Sequence, residues 1–157
     1  MAIGQDVKYA RYYPYLEMFV EVTMDDVTIT AIRFMEESTD TAGDEHEILD
    51  RIEDYLSGTV EDDFKDVQIA LPGSEELRAV LSALRAIPYG QNASVESLAR
   101  DLDEFDANQS KDHERIRAIL DQNPIPLIIP DHRVRDGPSA APPEVEQRLR
   151  SLEKIAT

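Results

Sequence analysis

The sequence contains no cysteine. This absence excludes disulfide bonds, thiolate metal sites and thiol nucleophiles. No apolar run approaches the roughly 18 residues that a membrane-spanning helix needs, and the amino terminus lacks the basic and then apolar pattern of a secretory signal. We therefore expect an unprocessed cytoplasmic protein that does not associate with membranes.

Basic residues are scarce: 16 Lys and Arg stand against 33 Asp and Glu, which gives a formal net charge of −17 at pH 7. The acids are spread along the whole chain, and only four of the basic residues are lysines. One interpretation is a protein that avoids polyanions. We favour the other, a halophilic surface adapted to a concentrated-salt cytoplasm, because the acids fall on predicted turns and outer helix faces and lysine is rare among the basic residues. This negative charge disfavours binding to nucleic acid without excluding it.

The first part of the chain predicts a small antiparallel sheet followed by a helix. Residues 18 to 34 alternate with period two on both sides of Asp25 and Asp26, which predicts a hairpin with one buried face. Its apolar residues are Phe19, Val22, Val27, Ile29, Ala31 and Ile32. The helix that follows ends at Gly58, and its apolar stripe consists of Ile48, Leu49, Ile52, Tyr55 and Leu56.

The second part predicts helices, and we place the domain boundary at Pro72, which gives domains 1–72 and 73–157. Helical stripes begin after Ser74, Ser94 and Ser110, each a suitable N-cap. The helices after Ser94 and Ser110 predict a helix-turn-helix. In the latter helix Ile116, Ile119 and Leu120 are expected to face inward and Lys111, Asp112, Arg115 and Ala118 outward. A last amphipathic helix is expected to bury Val145, Leu149 and Leu152.

Two motifs carry a resemblance to a known family. These are GSEELRAVLSALRAIPYG, residues 73 to 90, and NPIPLIIPDHRV, residues 123 to 134. From Leu56 to Glu153 the chain resembles the O6-alkylguanine-DNA alkyltransferases, also called methylated-DNA-protein cysteine methyltransferases. The second motif fits the family pattern NPxPxxIPCHRV at every specified position but one. The exception is the alkyl-accepting cysteine, which is Asp131 here.

The resemblance implies an α+β fold: a ribonuclease-H-like amino-terminal domain, followed by a mostly helical, winged helix-turn-helix-like domain. Proteins of the family bind the minor groove of double-stranded DNA, flip an alkylated guanine out of the helix and move its alkyl group onto the cysteine. No cofactor or metal is implied. We expect a monomer whose partner is double-stranded DNA, with or without alkyl damage, and a second partner among repair proteins.

The resemblance also assigns the site. Asn123 matches the asparagine that ties the helix-turn-helix to the active loop. His132 matches the histidine that takes the cysteine proton through water, and Glu153 matches the glutamate that orients this histidine. Together with Asp131, these are the positions of the family's catalytic residues.

DNA-contacting positions are assigned in the same way. The arginine that replaces the extruded base falls at Glu114, or at Arg115 after a shift of one residue. The tyrosine that pushes on the phosphate falls at Val95, and the loop that lines the guanine pocket is shortened to RDGPSAAPP. The full DNA-binding hypothesis consists of Ser94, Lys111, Glu114, Arg115, Pro126, Arg133 and Arg135.

The substitution at position 131 leaves three functions open. Suicidal transfer to cysteine is excluded because the chain has no cysteine. A carboxylate is a poor nucleophile towards an alkyl carbon, and burial favours its neutral form. We favour a non-catalytic protein that binds alkylated DNA and marks it for repair. A regulatory or protein-interaction module without DNA binding comes second, and a hydrolytic dealkylase that forms an ester on Asp131 comes last.

A purely structural interpretation of these residues also stays open. Asp131 would cap a turn and pair with Arg133 or Arg135. His132 and Glu153 would form a buried hydrogen-bonded pair that holds the last helix on its domain.

Overall fold

The computed structural model describes residues 6–38, 42–71 and 73–155. It divides into two compact units, Met1–Ala70 and Leu71–Thr157, and Pro72, our predicted boundary, lies outside the described residues. Strands and helices both occur, so the α+β class is confirmed. No helix in the described ranges is long and apolar enough to cross a membrane.

The first unit contains a three-stranded antiparallel sheet in the order β1-β2-β3. Its strands are β1 (Val7–Tyr13), β2 (Met18–Asp25) and β3 (Thr28–Met35). The predicted hairpin corresponds to β2 and β3, with Asp26 in the left-handed region at the turn (φ 55°). β1 is not among the predicted elements, because Lys8 and Arg11 interrupt its apolar pattern.

The expectation of one buried face is wrong for β2. Five consecutive residues of this central strand, Val20 to Met24, are buried, including Glu21 and Thr23. Val27 lies at the hairpin turn and is 61% exposed, so it is not part of the buried apolar face of the hairpin. A strand that is covered on both faces loses the period-two contrast on which the expectation rested.

Helix α1 (Glu47–Leu56) follows the sheet in the first unit, and all five residues of its predicted stripe are buried. The helix is held to β1 by a 2.7 Å hydrogen bond from the Tyr13 hydroxyl to the carbonyl oxygen of Leu49. It ends before Gly58, whose φ of 79° is the left-handed conformation that glycine adopts readily. The predicted apolar stripe of α1 thus belongs to the buried core of the first unit.

The second unit contains α2 (Glu75–Arg85), α3 (Val95–Asp101), α4 (Ser110–Asp121), a 3-10 turn at Asp131–Arg133 and α5 (Pro143–Glu153). Ser74 and Ser94 are N-caps, as predicted: their hydroxyls accept from the backbone N–H groups of Leu77 and Ser97. Ser110 is not a cap, because α4 has Gln109 at that position.

Two expected helix orientations are wrong in the second unit. Asp112 is buried rather than outward, since its carboxylate accepts from the backbone N–H of Asp106 at 2.7 Å. In α5, Arg150 and Glu153 are buried while Leu152 is half-buried. Hydrogen bonds, which a hydrophobic pattern does not reveal, determine both orientations.

The α1 stripe yields a stability prediction. Ile52→Ala should lower the free energy of unfolding of the first unit by about 2–5 kcal/mol, because Ile52 is fully buried and its truncation leaves a cavity. The matched control Val27→Ala removes exposed apolar atoms and should change it by less than about 0.5 kcal/mol. Urea denaturation of both variants checks this, and equal losses would contradict the packing described.

Candidate functional site

Asn123 shapes the loop that leads into the 3-10 turn. Its side-chain oxygen accepts from the backbone N–H of Ile125 at 3.0 Å, and its amide nitrogen donates to the carbonyl oxygen of Ile129 at 3.0 Å. The backbone N–H of Ile129 closes the same loop onto the carbonyl oxygen of Ile125 at 2.8 Å. This buried asparagine therefore fixes the path of the chain just before Asp131, in agreement with the linking role that the resemblance implies.

Asp131 is 1% exposed, and both of its carboxylate oxygens are hydrogen-bonded. Oδ1 accepts from the Ser139 hydroxyl at 2.6 Å. Oδ2 accepts from the backbone N–H of Ala140 at 2.9 Å and from the side-chain amide of Asn123 at 3.0 Å. The carboxylate thus fastens the segment Gly137–Pro142, which we call the 137–142 loop, to the 3-10 turn.

The environment of Asp131 disfavours its charge. Burial raises the pKa of this carboxyl above its usual value, although the hydrogen bonds from Ser139, Ala140 and Asn123 and the proximity of His132 act in the opposite direction. The predicted pairing with Arg133 or Arg135 is wrong, because the three donors above occupy the carboxylate. Asp131 is therefore a buried acceptor of hydrogen bonds.

The next two residues of the turn bind Glu153 at the end of α5. Arg133 makes a bidentate pair with its carboxylate, from Nε to Oε1 at 2.7 Å and from Nη2 to Oε2 at 3.1 Å. His132 Nε2 lies 2.7 Å from Oε2. All three side chains are at most 2% exposed. The buried His132–Glu153 pair expected from the sequence is present, with Arg133 as a further partner.

Glu153 remains ionised in this site. Burial opposes its charge, but the hydrogen bond and charge of His132, followed by those of Arg133, outweigh burial and lower the pKa of Glu153 to about 2. Because an ionised carboxylate only accepts, His132 Nε2 must carry a proton. The remaining ring atom, Nδ1, is buried and has no hydrogen-bond partner among the described residues.

Asp131, His132 and Glu153, which the resemblance assigns to catalytic positions, do not form one continuous chain of hydrogen bonds. Glu153 and His132 are hydrogen-bonded, but the chain of contacts stops at His132 Nδ1 and does not continue to Asp131. The hydrogen bonds of the Asp131 carboxylate come instead from Ser139, Ala140 and Asn123, which fix it as part of the loop structure.

Further hydrogen bonds connect α5 and the IPYG turn, residues 87–90, to the Arg133–Glu153 pair. Arg150 donates to the carbonyl oxygens of His132 and Val134, both at 2.9 Å. Arg133 Nη1 donates to the carbonyl oxygen of Ile87 at 2.6 Å, and the backbone N–H of Gly90 donates to Glu153 Oε1 at 3.2 Å. The site thus joins residues 87–90, 131–134 and 150–153.

The structure divides the predicted DNA-binding residues into two groups. Ser94 caps α3, and Lys111, Glu114, Arg115 and Arg135 are exposed. Arg133 and Pro126 are buried, which corrects their assignment to a DNA-binding surface. Arg133 lies inside because its guanidinium makes a bidentate pair with the buried carboxylate of Glu153. A surface that presents Arg133 beside Lys111, Arg115 and Arg135 is therefore not formed.

Ser139, Arg150 and Asp136 are site residues that the sequence reasoning missed. Asp136 Oδ1 accepts from the backbone N–H of Val95, the first residue of α3, at 2.8 Å. Its carbonyl oxygen accepts from Arg117 Nε of α4 at 3.2 Å. Ser139 and Asp136 stand in the proline-rich segment RDGPSAAPP, and their side-chain oxygens are the signal in the sequence that points to hydrogen-bonding roles.

Metal binding is not suggested by the geometry. Within the ranges that the structure describes, no three His, Asp or Glu side chains are grouped so as to hold a metal ion.

The second unit is similar in sequence to a known family. Residues 76–152 match the model of the family described as "6-O-methylguanine DNA methyltransferase, DNA binding domain". A methylated-DNA–protein-cysteine methyltransferase of Methanosarcina acetivorans is 30% identical over 84 residues, which cover 54% of this chain. The match spans 49% of that relative's length, about half of it.

Solved structures show that the fold extends over both units. The O6-methylguanine methyltransferase of Mycobacterium tuberculosis matches 96% of this chain and 92% of its own, with a TM-score of 0.72 at 20% identity. Mycobacterium tuberculosis OGT in complex with DNA matches with a TM-score of 0.71 at 21% identity, over 94% and 91% of the two chains. The O6-methylguanine-DNA methyltransferase of Pyrococcus kodakaraensis gives 0.66 at 14% identity, over 95% and 99%.

The contacts of Asp131 predict opposite outcomes for two substitutions. Asp131→Asn should leave the unfolding free energy at neutral pH unchanged or raised, because an amide can accept from Ala140 and Asn123, donate to Ser139 and carry no charge. Asp131→Ala leaves these donors unsatisfied and should cost about 2–4 kcal/mol. Urea denaturation checks both.

The pH dependence of this difference gives the control. The pKa of Asp131 is raised in the folded protein. Its stabilising contribution to the free energy of unfolding is therefore present at low pH and is lost as pH rises through that pKa. The stability of the Asn variant relative to the unsubstituted protein should therefore increase with rising pH. A relative stability that falls with rising pH would contradict the account.

Glu153 predicts an acid transition of opposite sign. Its pKa is lowered from 4.5 to about 2, so its contribution is present above pH 4.5 and is lost as pH falls towards 2. The loss should total roughly 3 kcal/mol. Titration of the Glu153 carboxyl by NMR should show it ionised at pH 3, and protonation near pH 4.5 would contradict the buried pair.

Proposed function

We propose that this chain, which contains no cysteine and whose residues 76–152 match the family model of the 6-O-methylguanine DNA methyltransferases, binds alkylated double-stranded DNA and leaves the alkyl group in place. The observation that carries the proposal is the hydrogen-bonded, buried carboxylate at the family's acceptor position. The family's other site positions keep their residues Asn123, His132 and Glu153, and these make buried hydrogen bonds beside it.

Binding without transfer is chemically consistent with this site. The carboxylate is a weak nucleophile towards an alkyl carbon, and all three of its hydrogen bonds would compete with attack. Burial further reduces its charge. A bound lesion would therefore persist, and its biological use would be recognition by a repair protein that this chain recruits.

The same family assignment supports the finer description of the domains. We propose that residues 1–72 form a ribonuclease-H-like domain and residues 73–157 a winged helix-turn-helix-like domain, with α3 and α4 as the paired helices. In this arrangement Ser94, Lys111, Glu114, Arg115 and Arg135 are the candidate DNA-facing residues, because they lie at or near the surface. The chain would act in the cytoplasm as a monomer.

A second candidate function is a regulatory or protein-interaction module that has lost DNA binding. It is favoured by one observation: residues 95–121, which contain both helices, carry eight acids and four bases. The hydrolytic dealkylase finds less support, since the Asp131 carboxylate is buried and both of its oxygens are already hydrogen-bonded.

The proposal predicts selective binding without chemistry. The protein should bind a duplex with one O6-methylguanine about tenfold more tightly than the undamaged duplex, a difference of about 1.4 kcal/mol. Fluorescence anisotropy across a salt series measures this. After incubation, mass spectrometry should find the protein mass unchanged and the O6-methylguanine intact.

Other outcomes separate the alternatives. Negligible binding to both duplexes would contradict the proposal and favour the interaction module. Loss of O6-methylguanine with the unsubstituted protein but not with Asp131→Ala would favour the hydrolytic dealkylase. Because the Ala variant is expected to be less stable, its folding is checked by circular dichroism at the assay temperature.

A further inference from the structure

The basic side chains of α3 and α4 are outnumbered and mostly paired. Within residues 95–121 the four bases are Arg100, Lys111, Arg115 and Arg117. Arg100 pairs with Glu96 at 3.1 Å, and Arg117 Nη2 lies 3.8 Å from Asp136 Oδ2. Lys111 is exposed and has no ionic partner among the described residues. Only one of the four cations is therefore free to meet a phosphate.

Arg115 is bound to two acids, one on its own helix and one on α2. Its Nη1 donates to Asp112 Oδ1 at 2.8 Å, and its Nη2 pairs with the carboxylate of Glu76 on α2. The guanidinium carbon also lies 4.8 Å from the centre of the Phe105 ring. The side chain is still 46% exposed. It is thus accessible from solvent while both of its amino groups are bound to acids.

Paired cations change how DNA binding responds to salt. Each phosphate contact made by a free Lys or Arg releases counterions, so log K falls with log salt with a slope of about −0.9 per phosphate. Here a contact with Arg115 must first break its bonds to Glu76 and Asp112. Salt weakens surface ion pairs and screens the repulsion between exposed acids and phosphates. Both effects oppose the usual loss of affinity.

We propose that Glu76 and Asp112 withhold Arg115 from DNA phosphates at low ionic strength and that salt releases it. Binding of duplex DNA by this chain then stays nearly constant or strengthens as the salt concentration rises. This inference rests on the proposed function, since it requires that the exposed side of α4 contacts DNA. It assigns Glu76, a residue of α2, a regulatory role at the same surface.

Glu76→Gln tests this role, with Glu75→Gln as its matched control. Both remove one negative charge from the first turn of α2, but Glu75 is exposed and has no ionic partner among the described residues. Anisotropy with one fluorescent duplex should give the unsubstituted protein a log–log salt slope between about −1 and a positive value. Glu76→Gln should bind about threefold to tenfold more tightly at low salt, with a slope more negative by about 0.9.

The control and a double variant complete the design. Glu75→Gln should change low-salt affinity by less than about twofold, because it frees no cation. Adding Arg115→Gln to Glu76→Gln should restore the original slope. A steep slope of about −5 or below for the unsubstituted protein would overturn the inference while leaving the proposed function intact, as would equal effects of the two single variants. Absence of DNA binding by every variant at every salt concentration would overturn both.

Discussion

The buried pair between Arg133 and Glu153 is the interaction on which the second unit depends. Glu153 joins α5 to the 3-10 turn through Arg133 and His132, and to the IPYG turn through the backbone of Gly90. Arg133 also reaches the carbonyl oxygen of Ile87. Removal of either charge would leave the other buried without compensation, which typically costs about 3–5 kcal/mol. The turn that presents position 131 is therefore held in place independently of the residue at that position.

This independence explains how an aspartate can occupy the family's cysteine position. The hydrogen bonds of Arg133 with Glu153 and Ile87 do not involve the side chain of residue 131. The Asp131 carboxylate is satisfied by Asn123, Ser139 and the N–H of Ala140. These bonds fasten the shortened 137–142 loop to the turn. The aspartate thus has a structural role at the position where the family pattern has a reactive cysteine, within residues that match the family's DNA-binding-domain model.

The sequence predicted features that depend on local patterns and missed those that depend on distant hydrogen bonds. The α1 stripe, the caps at Ser74 and Ser94 and the β2–β3 hairpin follow from periodicity and capping. Motif matching predicted that Asp131, His132 and Glu153 lie near one another. The burial of Arg133 and Asp112 was not predictable from hydropathy. It depends on the ion pair of Arg133 with Glu153 and on the hydrogen bond from the backbone N–H of Asp106 to Asp112.

The most direct test of the account is an NMR titration of the isotope-labelled protein with a duplex that carries one O6-methylguanine. The account predicts amide shift changes in α3 and α4, centred on Ser94, Lys111 and Arg115, and a carboxyl signal of Asp131 that is never replaced by that of a methyl ester. Absence of shift changes, or changes confined to the strands of the first unit, would contradict DNA recognition by this domain. Appearance of the ester signal would contradict binding without transfer.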